Sequence, residues 1–345
     1  MVSKTFTVLA NAVGKPAEEI EMVAKEYPFA LTPFLVRRVE EGTYSAAALQ
    51  QFVPDMRELL DVDGYSSDPT HEENIRPEEA TLQTYDNRLL IMLTHQCLVY
   101  CRFCFRKSFV GFPEHAISEM QFDKALAYLA AHPEIKDVVL SGGDPLAVPN
   151  RRLIPFLKKI TTIPHVEAIR IDSRALSTHP ARIDDELIDF LRSDDRFWYH
   201  AHMNHPDDIN HPDVIAAVRR LLSACVPVFN QSVILHGVND DAETMSRLMM
   251  SCYRNKVIPY NLYIFDHVKG AAHFDVSNER IEKIYTALSR LPGPAQPVLV
   301  YVDERSRKHR TIFDEPEDLH AFLARRDAFL ARNEENKTAL TAANV

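Results

Sequence analysis

The sequence predicts an α/β fold, a partial (βα)6-type barrel with an N-terminal helical extension and a C-terminal helical tail. From Arg88 onward, short apolar runs of strand type alternate with amphipathic helical stretches. The joins between them are short, so successive strands must lie parallel with helices on the outside. Polar residues and glycines gather at the C-terminal ends of the runs, where barrels of this kind place their chemistry. A chain of 345 residues, 46% hydrophobic, is long enough for one such barrel with extensions and a substantial core.

Residues 1–84 read as a helical, acidic cap or docking segment without obvious chemistry. Apolar residues recur at helical spacing over 17–27, and Pro28 and Pro33 break the run into short pieces. A short helix is expected over 45–52, and the turn formers of 61–69 predict a loop. The barrel, residues 85–303, opens with an apolar strand over 88–94 that delivers a cysteine-bearing loop. Ser118-Glu-Met-Gln121 is a capping box opening a helix to about Ala131. The strand over 137–141 ends in Gly142-Gly-Asp-Pro145. Helices near 152–161, 184–192, 212–223 and 241–253 then alternate with strands over 166–171, 197–202, 226–233 and 260–265. A helix near 277–291 leads to a last strand, 298–302. Residues 304–345 form a loop and a charged amphipathic helix (Leu319, Phe322, Leu323, Phe329, Leu330), expected to pack on the barrel or a second subunit.

A formal net charge of −10 argues against a nonspecific partner for nucleic acid or a membrane surface. No apolar run reaches the roughly 18 residues of a membrane span, and the N-terminus makes a poor signal peptide. Five cysteines, three in one cluster, point to a reducing compartment, the cytoplasm.

Those three, Cys97, Cys101 and Cys104, have C-x3-C-x2-C spacing. Thiolates so spaced can wrap one corner of a cubane cluster. Three of them leave one iron of a [4Fe–4S] unit without a protein ligand, whereas a cluster that only transfers electrons is closed by a fourth Cys. The spacing, with aromatic Phe103 before the last cysteine, resembles that of radical S-adenosylmethionine (SAM) enzymes. The resemblance implies that SAM chelates the open iron. A one-electron reductant of flavodoxin or ferredoxin type would then release a 5′-deoxyadenosyl radical. A structural zinc site would want a fourth Cys or His, and His95 lies too close to Cys97 to close one. Cys225 and Cys252 lie in apolar runs and read as core.

At the strand ends, Gly142, Gly143 and Asp144 offer backbone that can approach a ligand closely, as the amino-group site for SAM. Ser173-Arg174, His200 to His205, Asn230-Gln-Ser232 and Asp266-His267 occupy later strand ends and together make a polar mouth. Arg106, two residues after Cys104, is placed to pair with a carboxylate or phosphate.

These segments resemble the lysine 2,3-aminomutase family of radical SAM enzymes, in particular its shorter branch, which includes the enzyme that acts on a lysine side chain of elongation factor P. The likeness covers about residues 85–290 and is carried by Cys97 to Gly111, Ser141 to Leu146, Arg170 to Arg174, His202 to Pro206, Asn230 to Asp240 and Gly270 to Phe274. It implies that Arg106 pairs with the substrate carboxylate and Arg174 holds the phosphate of pyridoxal 5′-phosphate (PLP). His202, Asn204 and Gln231 would line the pocket for the two cofactors, with Asp266, paired with Asp303, meeting the substrate's distal amine. The family exchanges an α-amino group with a β-hydrogen.

The departure follows Leu291. The family presents a final strand, an Asp, and a glycine-containing loop that ends in the PLP lysine. Here the stretch contains Asp303 and Lys308 and no glycine. Lys308 is either the PLP lysine of a remodelled loop or one basic residue among Arg305, Arg307 and Arg310 on a charged surface. The first alternative makes the chain an aminomutase for lysine, a lysine-like amino acid or a lysine side chain of a partner protein. The second leaves a PLP-independent epimerase, dehydrogenase or deaminating lyase, with Arg174 binding another anion. A non-catalytic metal-binding protein is the third reading.

Overall fold

The computed structural model describes residues 4–111, 117–303, 305–311 and 316–343. Strands β1 (Thr81–Tyr85) and β2 (Arg88–Thr94) form an antiparallel hairpin across Asp86 and Asn87. From β2 the sheet runs parallel through β3 (Asp137–Gly142), β4 (Ala168–Ser173), β5 (Phe197–Ala201), β6 (Val228–Val233), β7 (Val257–Tyr263) and β8 (Val298–Val302). Finally β9 (Lys308–Thr311) returns antiparallel to β8. Strand order equals chain order, and among the described residues β1 and β9 do not pair, so the barrel stays open. The seven parallel strands are those expected from the sequence; the two edge strands were not anticipated.

The leading stretch folds into α1 (Lys4–Val13), α2 (Ala17–Glu26), α3 (Pro33–Glu40) and α4 (Ala46–Leu49). Pro33 starts a helix and does not break one. It occupies the first helical position, where its missing N–H costs nothing, and the Thr32 hydroxyl caps the Leu35 amide at 3.3 Å. Outside the sheet lie α5 (Glu119–Ala131), α6 (Asn150–Thr161), α7 (Ala175–Thr178), α8 (Asp185–Leu191), α9 (Pro206–Ile209), α10 (Pro212–Ser223), α11 (Ala242–Arg254) and α12 (Asn278–Leu288). The capping box opens α5 as expected: Gln121 N–H donates to Ser118 Oγ at 3.2 Å, and Ser118 N–H to Gln121 Oε1 at 2.7 Å. The tail helix α13 (Pro316–Ala343) buries Leu319, Phe322 and Leu323 in the same core as the barrel.

One core runs through the molecule, joining Leu9, Ile20, Leu35 and Phe52 of the N-terminal stretch to Leu89, Ile91 and Val138 of the sheet. Cys252 is buried in it, as expected. Cys225 is exposed: it follows α10 with φ of 58°, the turn that frees the chain to enter β6. No helix among the described residues is long and apolar enough to cross a membrane.

Candidate active site

The cysteine loop leaves the end of β2 and is fastened by ion pairs from the N-terminal stretch. Glu58, fully buried, accepts from Arg102 Nε at 2.9 Å and from Lys107 Nζ at 2.6 Å. Arg102 also donates to the Pro28 carbonyl at 2.8 Å, and its amide donates to Gln51 O at 2.8 Å. Arg106 is gripped by Glu72, with Nε–Oε2 of 2.8 Å and Nη2–Oε1 of 2.7 Å, and donates through Nη1 to the Gly142 carbonyl at 2.9 Å. Every cation of the loop between Cys101 and Lys107 is therefore paired with a carboxylate from upstream of the barrel, Arg102 and Lys107 sharing Glu58.

Cys97, Cys101 and Cys104 line one cavity of about 310 Å³ at the C-terminal mouth of the sheet. Burial, then the neighbouring thiols, push the Cys97 thiol well up, and push Cys104 to about 11. Such thiols ionise only when a metal replaces the proton. Among the described residues no group of three His, Cys, Asp or Glu is arranged to hold a single metal ion. Three thiols around one cavity, in C-x3-C-x2-C spacing, fit an iron–sulfur cluster whose cysteines each take a different iron.

The cavity wall also carries two buried atoms without a hydrogen-bond partner, Asp172 Oδ1 and Arg174 Nε. Gly142 and Gly143 line it too, and both are demanded by close approach. A Cβ on Gly142 (φ of 120°) would lie 2.2 Å from Thr94 O, and one on Gly143 2.3 Å from Gln96 O. The Gly143 and Asp144 amides donate to those same two carbonyls, at 2.6 and 2.9 Å. These glycines thus seat the cysteine loop on the strand end. Asp144 accepts from Ser173 Oγ at 2.7 Å and from the Leu146 and Arg174 amides at 2.9 Å, tying the ends of β3 and β4 together. Phe103 packs edge-on to Phe274, in a small apolar cluster at the mouth.

Arg174 sits at the cysteine end. Its Nη1 donates to Cys101 Sγ at 2.9 Å, Nη2 donates to Gln51 Oε1, and the guanidinium lies over the Phe52 ring at 4.5 Å. A phosphate held there would lie against the cluster loop. The sequence reading missed another pair of cavity cations, Arg88 and Arg170, which share Asp137 at 2.7 and 2.8 Å. Both occupy strand positions where an alternating pattern is ordinary, so only the closed-up sheet brings them together.

Lys308 lines the cavity rather than the surface. The β8–β9 register sets it opposite Val302, also in the wall. Its Nζ donates to Tyr263 Oη, which donates onward to Gln231 Oε1 at 2.9 Å. Gln231 Nε2 lies 3.2 Å from Asp172 Oδ2. The turn works without glycine because Ser306 takes the left-handed conformation (φ of 56°), and Asp303 Oδ1 accepts the Arg305 and Arg307 amides at 2.9 Å.

His202 faces the cavity, and burial, then the Arg174 charge, push it down to about 4, so its ring is neutral at pH 7. Asp266 also faces the cavity; burial raises it to about 6 against the pull of Arg326, His267 and Lys308. Two expected residues stand apart. Asn204 is fully buried behind the wall, donating to Gln51 Oε1 at 3.0 Å and accepting the Val233 amide at 2.8 Å. Asp303 holds its turn and His309, at 2.9 Å, and is not among the residues lining the cavity.

The family model for the radical SAM superfamily matches residues 91–249. The L-lysine 2,3-aminomutase of Fusobacterium nucleatum is 35% identical over 296 residues, 85% of this chain and 69% of that protein. The enzyme of the same name from Haemophilus influenzae is 34% identical, covering 82% of this chain and 85% of its own, and that from Escherichia coli is 35% identical over 74% of each. Among solved structures, a radical SAM methyltransferase from Sphaerobacter thermophilus superposes with a TM-score of 0.43 at 16% identity, over 64% of this chain and 68% of that one. Enzymes of the superfamily use a [4Fe–4S] cluster and SAM, and the thiol-lined cavity is where this chain would hold both. Motif and relatives agree: the chain belongs to the lysine 2,3-aminomutase family of radical SAM enzymes.

Proposed function

We propose that this enzyme is a 2,3-aminomutase that binds PLP through Lys308 and acts on an amino acid with a lysine-like side chain. One observation carries the reading: Lys308, on the last strand, reaches into the same cavity as the three cysteines. Two cofactors can therefore meet over one substrate. PLP, when bound, supplies a conjugated carrier on which the nitrogen can migrate.

The residues divide the work. Cys97, Cys101 and Cys104 ligate the cluster, and the backbone around Gly142, Gly143 and Asp144, with Phe103, forms its shelf for SAM. Tyr263 orients Lys308, and Gln231 orients Tyr263. The phosphate falls to Arg88 and Arg170; Arg88 lies over the ring of Tyr85, whose hydroxyl accepts the Lys308 amide at 2.9 Å. Arg174 serves the cluster end. His202, neutral, donates or accepts without adding charge. Asp266 meets the substrate's distal amine, whose positive charge favours the ionised carboxyl. A flavodoxin- or ferredoxin-type reductant in the cytoplasm completes the system, in keeping with five free cysteines.

The test is to reconstitute the protein anaerobically with iron, sulfide and PLP, add SAM and reductant, and offer lysine and its carboxyl derivatives. A β-amino product, formed with PLP and absent without it, is expected. Formation of 5′-deoxyadenosine that ignores PLP, with no shifted amine, would replace this reading by PLP-independent radical chemistry of epimerase, dehydrogenase or lyase type.

A further inference from the structure

We propose that Arg174, held in place by Gln51, sets the reduction potential of the cluster through a hydrogen bond to the sulfur of Cys101. The proposal rests on a cluster at the three cysteines and is independent of PLP and of Lys308. Arg174 Nη1 donates to Cys101 Sγ at 2.9 Å. A thiolate ligand gains negative charge when its cluster takes up an electron. A charged donor on that sulfur therefore favours the reduced form and raises the potential.

The other three cations beside the cysteines spend their charge on carboxylates. Arg102 and Lys107 share Glu58, and Arg106 pairs with Glu72 at 2.7 Å. Arg174 differs. Its carboxylate neighbour, Asp208, lies 3.7 Å away and is already engaged by the Tyr44 hydroxyl and by the Asn204 and His205 amides, at 2.8 and 3.1 Å. Its Nη2 donates instead to the neutral Gln51 Oε1. The charge of this guanidinium is thus turned toward the thiol.

The surroundings keep it there. The guanidinium carbon lies 4.5 Å from the centre of the Phe52 ring and 5.3 Å from that of Phe103, and all three side chains are buried. With water excluded, the charge is weakly screened. Gln51, just past α4, is itself fully buried and fixed on several sides. Its Oε1 also accepts from Asn204 Nδ2, and its Nε2 donates to Ala48 O, both at 3.0 Å. Its backbone carbonyl accepts the amide of Arg102, next to Cys101, at 2.8 Å. Gln51 is therefore a positioning residue that binds both the guanidinium and the loop on which it acts.

Potentiometric titration of the cluster-loaded enzyme, followed by the electron paramagnetic resonance of the reduced cluster, tests this. Arg174→Gln should lower the potential. At a given applied potential its reduced form should be at least about tenfold scarcer, a shift of about 59 mV for one electron. Gln51→Leu should shift it the same way by less, because the guanidinium loses its anchor and not its charge. Arg174→Lys, which keeps the charge, should fall between Arg174→Gln and wild type. A potential unchanged or raised in Arg174→Gln, at the iron content of wild type, would overturn the proposal. Should that variant fail to hold a cluster, Gln51→Leu decides, an unchanged potential again counting against it. Loss of the cluster in both would make the pair structural and would equally overturn the tuning role. A wild type without any cluster signal would remove the cluster assignment itself, whereas failure to shift an amine leaves the predicted potentials standing.

Discussion

Asp266 is the residue whose chemistry depends most on its surroundings. Its carboxyl is raised from 3.8 to about 6 by burial, so the folded chain binds a proton there that the unfolded chain releases between about pH 4 and 6. Ionising it therefore destabilises the ligand-free fold as pH rises through that window, by up to about 3 kcal/mol. Asp266→Asn should raise the melting temperature at pH 8 and leave it unchanged below pH 4, as scanning calorimetry would read. A stability gain equal at both pH values would contradict the assignment. Under the proposed function the same variant should also lose turnover of a lysine-like amine, whose charge Asp266 would meet. Phe103 and Asp144 both line the cavity, and the Asp144 carboxylate also accepts from Ser173 and two amides. Asn204 is hidden behind the wall, because its side chain satisfies Gln51 and Val233, residues remote in sequence.

At the scale of elements, the seven parallel strands were legible because each is an apolar run between amphipathic helices. The edge strands were not. β1 reads TLQTY and β9 reads KHRT, polar stretches without a buried-strand pattern, stabilised by pairing to one neighbour. That omission mattered, since only the hairpin register of β8 and β9 turns Lys308 inward; the spacing from Asp303 alone left surface and site equally open. The paired glycine after β3 was visible, yet its structural duty was not, because the carbonyls it meets belong to Thr94 and Gln96 on another strand end. Gly142→Ala should cost at least about 2 kcal/mol, from positive φ and the backbone clash, and lower the iron bound per chain on reconstitution. Urea titration and iron analysis would check both. Full iron loading at unchanged stability would mean that the cysteine loop does not need this contact.

For the molecule as a whole, the N-terminal stretch is part of the site and not a detachable cap. Gln51, Glu58 and Glu72 come from before the barrel and fasten Arg102, Lys107, Arg106 and Arg174 around the cysteines. Burial holds Lys107 down to about 8, yet the Glu58 carboxylate beside it is held below its ordinary value by the two cations. Glu58→Gln would leave those cations buried without their counter-charge, at a cost of about 3–5 kcal/mol. Lower urea resistance and weaker cluster retention are expected, read from the unfolding midpoint and the iron content. An unchanged midpoint would separate the N-terminal stretch from the cluster loop. The tail contributes at longer range, through Arg326 of α13, which lies 3.9 Å from Asp275 and faces the loop carrying Asp266.

The union of cluster cysteines and Lys308 in one cavity is tested most directly by borohydride trapping. The protein is reconstituted anaerobically with iron and sulfide, supplied with PLP, reduced with borohydride, digested and mapped by mass spectrometry. A pyridoxyl group on the Lys308 peptide, beside the broad visible absorption of a [4Fe–4S] cluster, is the predicted result. A cluster absorption with no adduct, or an adduct on another lysine, would contradict the account and return the enzyme to radical chemistry without PLP at Lys308.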